Sequence, residues 1–184
     1  MKYLELFEQF EPMRFDVTLY YKEDCIWSSN ATLMYKDEEA IGIICYYYDK
    51  EVDVYCISGS YIIDKYQSKG YGTFLYESIM TMLSPKGVTM TRDSNTSPSA
   101  VSVWERFDQR DDIKKERINF KGYTHKREDL IDGFMSEDKE YVDKILRLED
   151  TRFFYNYGKD KLESYLSEPL GDFDDVVNLM LDRM

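Results

Sequence analysis

The stretch Ile62-Ile63-Asp64-Lys65-Tyr66-Gln67-Ser68-Lys69-Gly70-Tyr71-Gly72-Thr73 decides how this 184-residue chain is read. Before it, VDVYCISGSYII (52–63) is β-branched and aromatic, as strands are. After it, Leu75, Ile79 and Met82/Leu83 recur at spacings of three and four, which is helical. The segment therefore joins a strand's end to a helix's start. A helix N-terminus exposes unpaired N–H groups and roughly half a positive charge, so it accepts phosphate. Gly70 and Gly72 let the main chain approach such a group without Cβ atoms in the way, and Lys69 adds a point charge. Together these suit a diphosphate-bearing cofactor. The P-loop pattern GxxxxGK[ST] is absent, and Leu75 stands where a dinucleotide fingerprint has its third glycine.

Working outward, residues 15–21 and 31–36 read as strands, and Asp37-Glu38-Glu39 turns the chain into AIGIICYYY, apolar on both faces and so central. Gly59, between Ser58 and Ser60, marks either a bulge or a weakened strand position. Ser84-Pro85-Lys86-Gly87 ends the helix, and Val88-Thr89-Met90 starts another strand. Residues 98–107 form a short helix with Pro98 at its first position, residues 117–123 a weaker strand, and residues 3–10 a short helix ending before Pro12. From about residue 125 the pattern is helical throughout, with stripes at Tyr141, Ile145 and Leu148, at Leu162, Tyr165 and Leu166, and at Phe173, Val176, Val177, Met180 and Leu181. The expected organisation is a mixed body over 1–124 and a helical C-terminal extension over 125–184, packed on or beside it.

Charge narrows the function. With 24 Lys and Arg against 36 Asp and Glu, the net charge is -12, the wrong sign for a grip on phosphate backbones. The excess is even: residues 1–107 hold 10 basic and 16 acidic side chains, residues 108–184 hold 14 and 20, and each part nets -6. A negative surface favours cationic partners, although solubility explains it as well. Cys25, Cys45 and Cys56 lie far apart, and His125 has no companion, so no metal spacing is present. No apolar run reaches 18 residues. A cytoplasmic protein with neither a membrane nor a nucleic-acid partner is expected.

From Ala40 to Phe107 the sequence resembles the GNAT superfamily of acyl-CoA-dependent N-acyltransferases. Gln67-Ser68-Lys69-Gly70-Tyr71-Gly72 matches its Q/R-x-x-G-x-G/A signature, and Tyr61-Ile62-Ile63-Asp64-Lys65-Tyr66 matches the strand end before it. The resemblance is thin over 1–39 and absent over 125–184. It implies an α+β fold: a mostly antiparallel central sheet with a splayed strand pair, flanked by helices, here with a C-terminal helical extension. It also implies an acetyl-CoA (or other acyl-CoA) site. Backbone groups near Ile62 and Ile63 would pair with pantetheine, and the loop Gln67, Ser68, Lys69, Gly70, Tyr71, Gly72 and Thr73 would hold the pyrophosphate. An amine would attack the thioester directly, so holding both reactants in register supplies much of the rate, and a backbone N–H of the bulged strand would steady the oxyanion.

The resemblance then departs. After the next strand the family has an Asn, an Ala three residues on and a Tyr four further. Here Ser97 takes the Asn place, with Asn95 close by, and Ala100 is followed by Trp104. The family's Tyr acts as general acid toward the leaving thiolate, and an indole N–H does not give up its proton at working pH. Trp104 either packs beside Val101 and Phe107 or donates a hydrogen bond to the cofactor sulfur. Asp93 is a candidate general base, with a turn or cap role as the alternative. Any of the 17 tyrosines could replace the missing acid, and the sequence singles out none. The expected activity is acetyl transfer to a primary amine, on a lysine-bearing protein or a small molecule. The alternative is a catalytically weak GNAT-like protein that binds partners or inhibits them. A homodimer is compatible with either.

Overall fold

The computed structural model describes residues 15–26, 29–90, 97–118, 139–155, 158–168 and 171–184. The strands are β1 (Thr18–Ile26), β2 (Ser29–Lys36), β3 (Glu39–Asp49), β4 (Val54–Ile62), β5 (Val88–Met90), β6 (Lys114–Arg117), β7 (Thr151–Phe154) and β8 (Leu166–Ser167). The helices are α1 (Tyr71–Met82), α2 (Pro98–Gln109), α3 (Lys139–Glu149), α4 (Lys159–Glu163) and α5 (Phe173–Leu181). All eight strands form one sheet in the order β6-β7-β5-β4-β3-β2-β1-β8. Its neighbours are antiparallel except β4–β5 and β1–β8.

Strands β2 and β3 bury consecutive residues, Ala31–Met34 and Ile41–Tyr46. Burial on both pleat faces requires a layer on each side. One layer is α1: Ser60 and Ile62 of β4 point to it, as does the open side of Gly42 on β3. The other is α5, which packs on β3 and is tied to β1 by Lys22 Nζ to Asp174 Oδ2 at 2.5 Å. Phe173, Val177 and Met180 of α5 are buried, as the helical stripe predicts. The acidic cluster does turn the chain: Asp37 and Glu38, both left-handed, sit between the paired residues Lys36 and Glu39. That geometry matches the twist of a two-residue hairpin.

Three expectations need correction. β1 runs over 18–26 rather than 15–21. The weak strand expected at 117–123 is displaced to 114–117, because Lys114–Arg117 pairs with β7; residues 119–123 lie outside the described residues. The C-terminal part is not helical throughout. Thr151 and Phe153 of β7 turn inward while Arg152 and Phe154 are half-buried, and β7 sits between β5 and β6. Two strands from beyond residue 139 thus complete the sheet that the earlier residues begin. The expected helix at 3–10 and the boundary at residue 124 fall outside the described residues.

Candidate functional site

The strand-to-helix loop is built by its own polar groups. After β4 a 3₁₀ turn spans Asp64–Tyr66, closed by Tyr66 N donating to Ile63 O at 2.9 Å and Gln67 N to Asp64 O at 3.1 Å. The Gln67 side chain braces it: Nε2 donates to Ile62 O at 2.8 Å and to Asp64 Oδ1 at 3.0 Å. Ser68 (φ 58°) and Gly70 (φ 87°, ψ -11°) are both left-handed. Glycine meets that demand without a steric cost, and serine does not. Gly70 is the N-cap of α1, with no side-chain cap, and the first helical bond runs from Phe74 N to Gly70 O at 3.0 Å. The amides of Tyr71, Gly72 and Thr73 therefore have no intrahelical acceptor. Left-handed residues in such a turn gather successive N–H groups into an anion-binding concavity. These groups and the helix dipole provide local positive potential on an acidic chain.

The strand feeding this loop is irregular at the right place. Cys45 pairs with Gly59 and Tyr46 with Ile57, so Ser58 is an extra residue: a β-bulge. This settles the two readings of Ser58-Gly59-Ser60 in favour of the bulge. On its other edge β4 pairs with β5 only through Tyr55, Cys56 and Ile57 among the described residues. Ile63 N–H donates to Ile41 O, toward β3. Alternation in an antiparallel ladder then turns the N–H and C=O groups of Ser60 and Ile62 to the opposite edge. The use of Ile62 O by Gln67, rather than by a strand, agrees.

The expected site residues divide. Ser68 lies in the turn before α1, Gly70 is its N-cap, and Tyr71, Gly72 and Thr73 form its first turn. Gln67 does not offer its amide N–H, which is used within the loop; its role is the brace. Lys69 turns back, Nζ donating to Lys65 O at 2.7 Å and lying 5.6 Å from the Tyr66 ring centre. Of Ile62 and Ile63, only Ile62 turns its backbone away from β3, and its carbonyl is taken by Gln67 Nε2. Ser97 is the N-cap of α2, its Oγ accepting from Ala100 N at 3.3 Å, a helix-capping duty. Trp104 is 1% exposed and its ring meets Tyr76, Phe107 and Phe153 at 5.1–6.0 Å between centroids. Those are the surroundings of a core residue, in keeping with the first of its two readings. Asp93 lies outside the described residues.

One pair escaped the sequence reading. Ser60 Oγ lies 2.8 Å from Tyr76 Oη, and Tyr76 is buried on α1 against Trp104 and Phe107. Burial pushes the Tyr76 phenol above its ordinary pKa, with the Ser60 hydrogen bond acting in the other direction. No local signal links residues 16 apart; the crossover from β4 into α1 does.

A strand with a bulge, parallel to the next, feeding a glycine-started helix, is also the region matched by the model of the acetyltransferase (GNAT) family, which covers residues 2–108. The chain belongs to the GNAT family. No curated protein and no solved structure matches it. The match takes in β1 to β5, α1 and most of α2, hence the whole loop and the Ser60–Tyr76 pair. Membership of the GNAT family supports acyltransferase chemistry in general, and the curled mixed sheet is consistent with the GNAT fold. Elements α3 to α5 and β6 to β8 lie beyond the match.

Proposed function

We propose that this GNAT chain transfers an acetyl group from acetyl-CoA to a primary amine by direct attack in a ternary complex. The observation carrying this reading is the succession of two features on adjoining elements: amides of Tyr71, Gly72 and Thr73 without an intrahelical acceptor at the start of α1, and the backbone of Ser60 and Ile62 of β4, turned away from β3, leading up to them. The residues fit the coenzyme's needs. Amides of Ser68 to Thr73 suit paired phosphates, and the Ile62 and Ser60 backbone suits the amides of pantetheine. When bound, the coenzyme supplies an activated thioester carbonyl. The Ser60 N–H, just past the bulge and turned away from β3, supports a role as donor to the oxygen as it gains charge. The chain's charge of -12 favours a cationic acceptor, a protein lysine or a polyamine. No helix among the described residues is long and apolar enough to cross a membrane, and a cytoplasmic site of action accords with the proposal.

A second reading has its own support. The family's phenol is replaced by Trp104, which is packed as core, and this favours a slow catalyst or a protein-binding module. Thiol release from acetyl-CoA, measured against spermidine, lysine peptides and whole cytosolic protein, separates the two. Turnover with any acceptor supports the transferase, and coenzyme binding without thiol release supports the binder.

A further inference from the structure

We propose that Ser60, held by Tyr76, donates the hydrogen bond that receives the sulfur of the leaving coenzyme. The inference rests on the reading above and assigns the contact with sulfur to residues other than Trp104, whose ring is packed in the core.

Ser60 stands two residues past the bulge at Ser58 and two before Ile62, whose carbonyl is bound by the brace of the phosphate loop. It is therefore on the stretch of β4 whose backbone turns away from β3 and which, among the described residues, lies beyond the pairing with β5. Its hydroxyl and the Tyr76 phenol are 2.8 Å apart, and either oxygen can be the donor. Tyr76 is 5% exposed and wedged against Trp104 and Phe107, so its own surroundings are apolar. A phenol so enclosed is costly to leave unpaired, and Ser60 is its partner. When Tyr76 donates to Ser60 Oγ, the serine proton is left over as a donor for a third atom. Hydrogen bonds in such a chain strengthen one another. Tyr76 is thus a positioning residue, and Ser60 is the group in contact.

The step balances without a proton relay. The amine nitrogen forms a bond to the carbonyl carbon, the carbon–sulfur bond breaks, and its electron pair stays on sulfur. The nitrogen's proton passes to water. Ser60 O–H holds the thiolate until it takes a proton from water on release.

The test uses coenzyme A carrying 13C on the carbon next to sulfur, bound to the whole chain, with the label's chemical shift followed against pH. The expected result is a thiol midpoint about one pH unit below that of free coenzyme, since a donor to the charged form favours it. Ser60→Ala returns the midpoint to the free value, Tyr76→Phe returns it at least halfway, and Ser60→Thr keeps the shift. Calorimetry with coenzyme A sets the concentration at which each variant is loaded, so that every midpoint is read on bound coenzyme. A wild-type midpoint equal to that of free coenzyme, or one unmoved by Ser60→Ala, overturns the inference and leaves the transferase reading standing. If the wild type binds no coenzyme at millimolar concentration, both fall.

Discussion

Gly42 of β3 lies against Ile62 of β4 so closely that a Cβ on Gly42 would come within 2.4 Å of Ile62 Cδ1, with Tyr61 O at 3.3 Å and Leu75 Cδ2 at 3.6 Å. The same Ile62 lies 3.6 Å from where a Cβ on Gly72 would be. The absent side chain at position 42 thus lets the strand end, and the loop it leads into, settle on the sheet beneath α1. Gly42→Val should destabilise the fold by about 1–3 kcal/mol, as overpacking does, whereas Gly72→Ala should cost well under 1 kcal/mol in stability. Urea unfolding of the two variants checks the contrast.

The Gln67 brace makes a prediction about binding without folding. Gln67 is exposed, so removing it costs no more than an ordinary hydrogen bond, about 1 kcal/mol. Its loss frees the loop that gathers the amides. Gln67→Ala should weaken acetyl-CoA binding about tenfold, equivalent to ~1.4 kcal/mol, with little change in the unfolding midpoint. Calorimetry and thermal melts on one preparation decide the matter.

A polar junction ties α1 to the end of α2. Arg110 holds Asp112 through two bonds, Nε–Oδ1 at 2.9 Å and Nη2–Oδ2 at 2.6 Å, reaches Glu77 with Nη1, and stacks on Tyr155. Burial pushes the Glu77 carboxyl up, and Arg110 pulls it back down. Arg110→Ala leaves the carboxylate half-enclosed without its cation and should cost about 3 kcal/mol near neutral pH. A carboxyl raised in the folded state contributes stability below its unfolded pKa and loses it as pH rises through the folded value. The variant should therefore be least impaired near pH 4 and progressively worse toward pH 7. Glu77→Gln in the same background should flatten that dependence.

Tyr46 and Cys45 should limit stability at high pH. Burial pushes each up to about 12, the Tyr46 phenol from 10.0 and the Cys45 thiol from 9.0. Both are raised, so their contribution is intact below the unfolded values and is lost as pH climbs from about 9 to about 12. Cys45→Ala and Tyr46→Phe should each move the midpoint of base-induced unfolding to higher pH. Native Cys45 should also resist iodoacetamide at pH 8, since the thiolate is the reactive form.

The sequence carried the sheet's centre and the loop because their signals are local. The both-faces-apolar run of β3, the acidic hairpin turn before it, and glycines at a change of period each say what they do within a dozen residues. Strands β7 and β8, four and two residues long between helices, are too short for any periodicity to register. Lys69 read as a phosphate contact from its place in the motif, yet its long side chain has a nearer acceptor in Lys65 O. Trp104 occupies a position with two readings, and only three-dimensional packing with Tyr76 and Phe153 separates them. The Ser60–Tyr76 pair was hidden among 17 tyrosines until the fold brought one of them to the bulged strand.

Main-chain nitrogens at the start of α1 are proposed to receive a coenzyme's phosphates. Titrating acetyl-CoA calorimetrically into the wild type and Gly70→Trp tests this most directly, with circular dichroism to show that both are folded. The account predicts saturable binding by the wild type and at least a hundredfold loss, ~2.7 kcal/mol, in the variant. Equal binding by the two folded proteins, or none by the wild type at millimolar coenzyme, would contradict it.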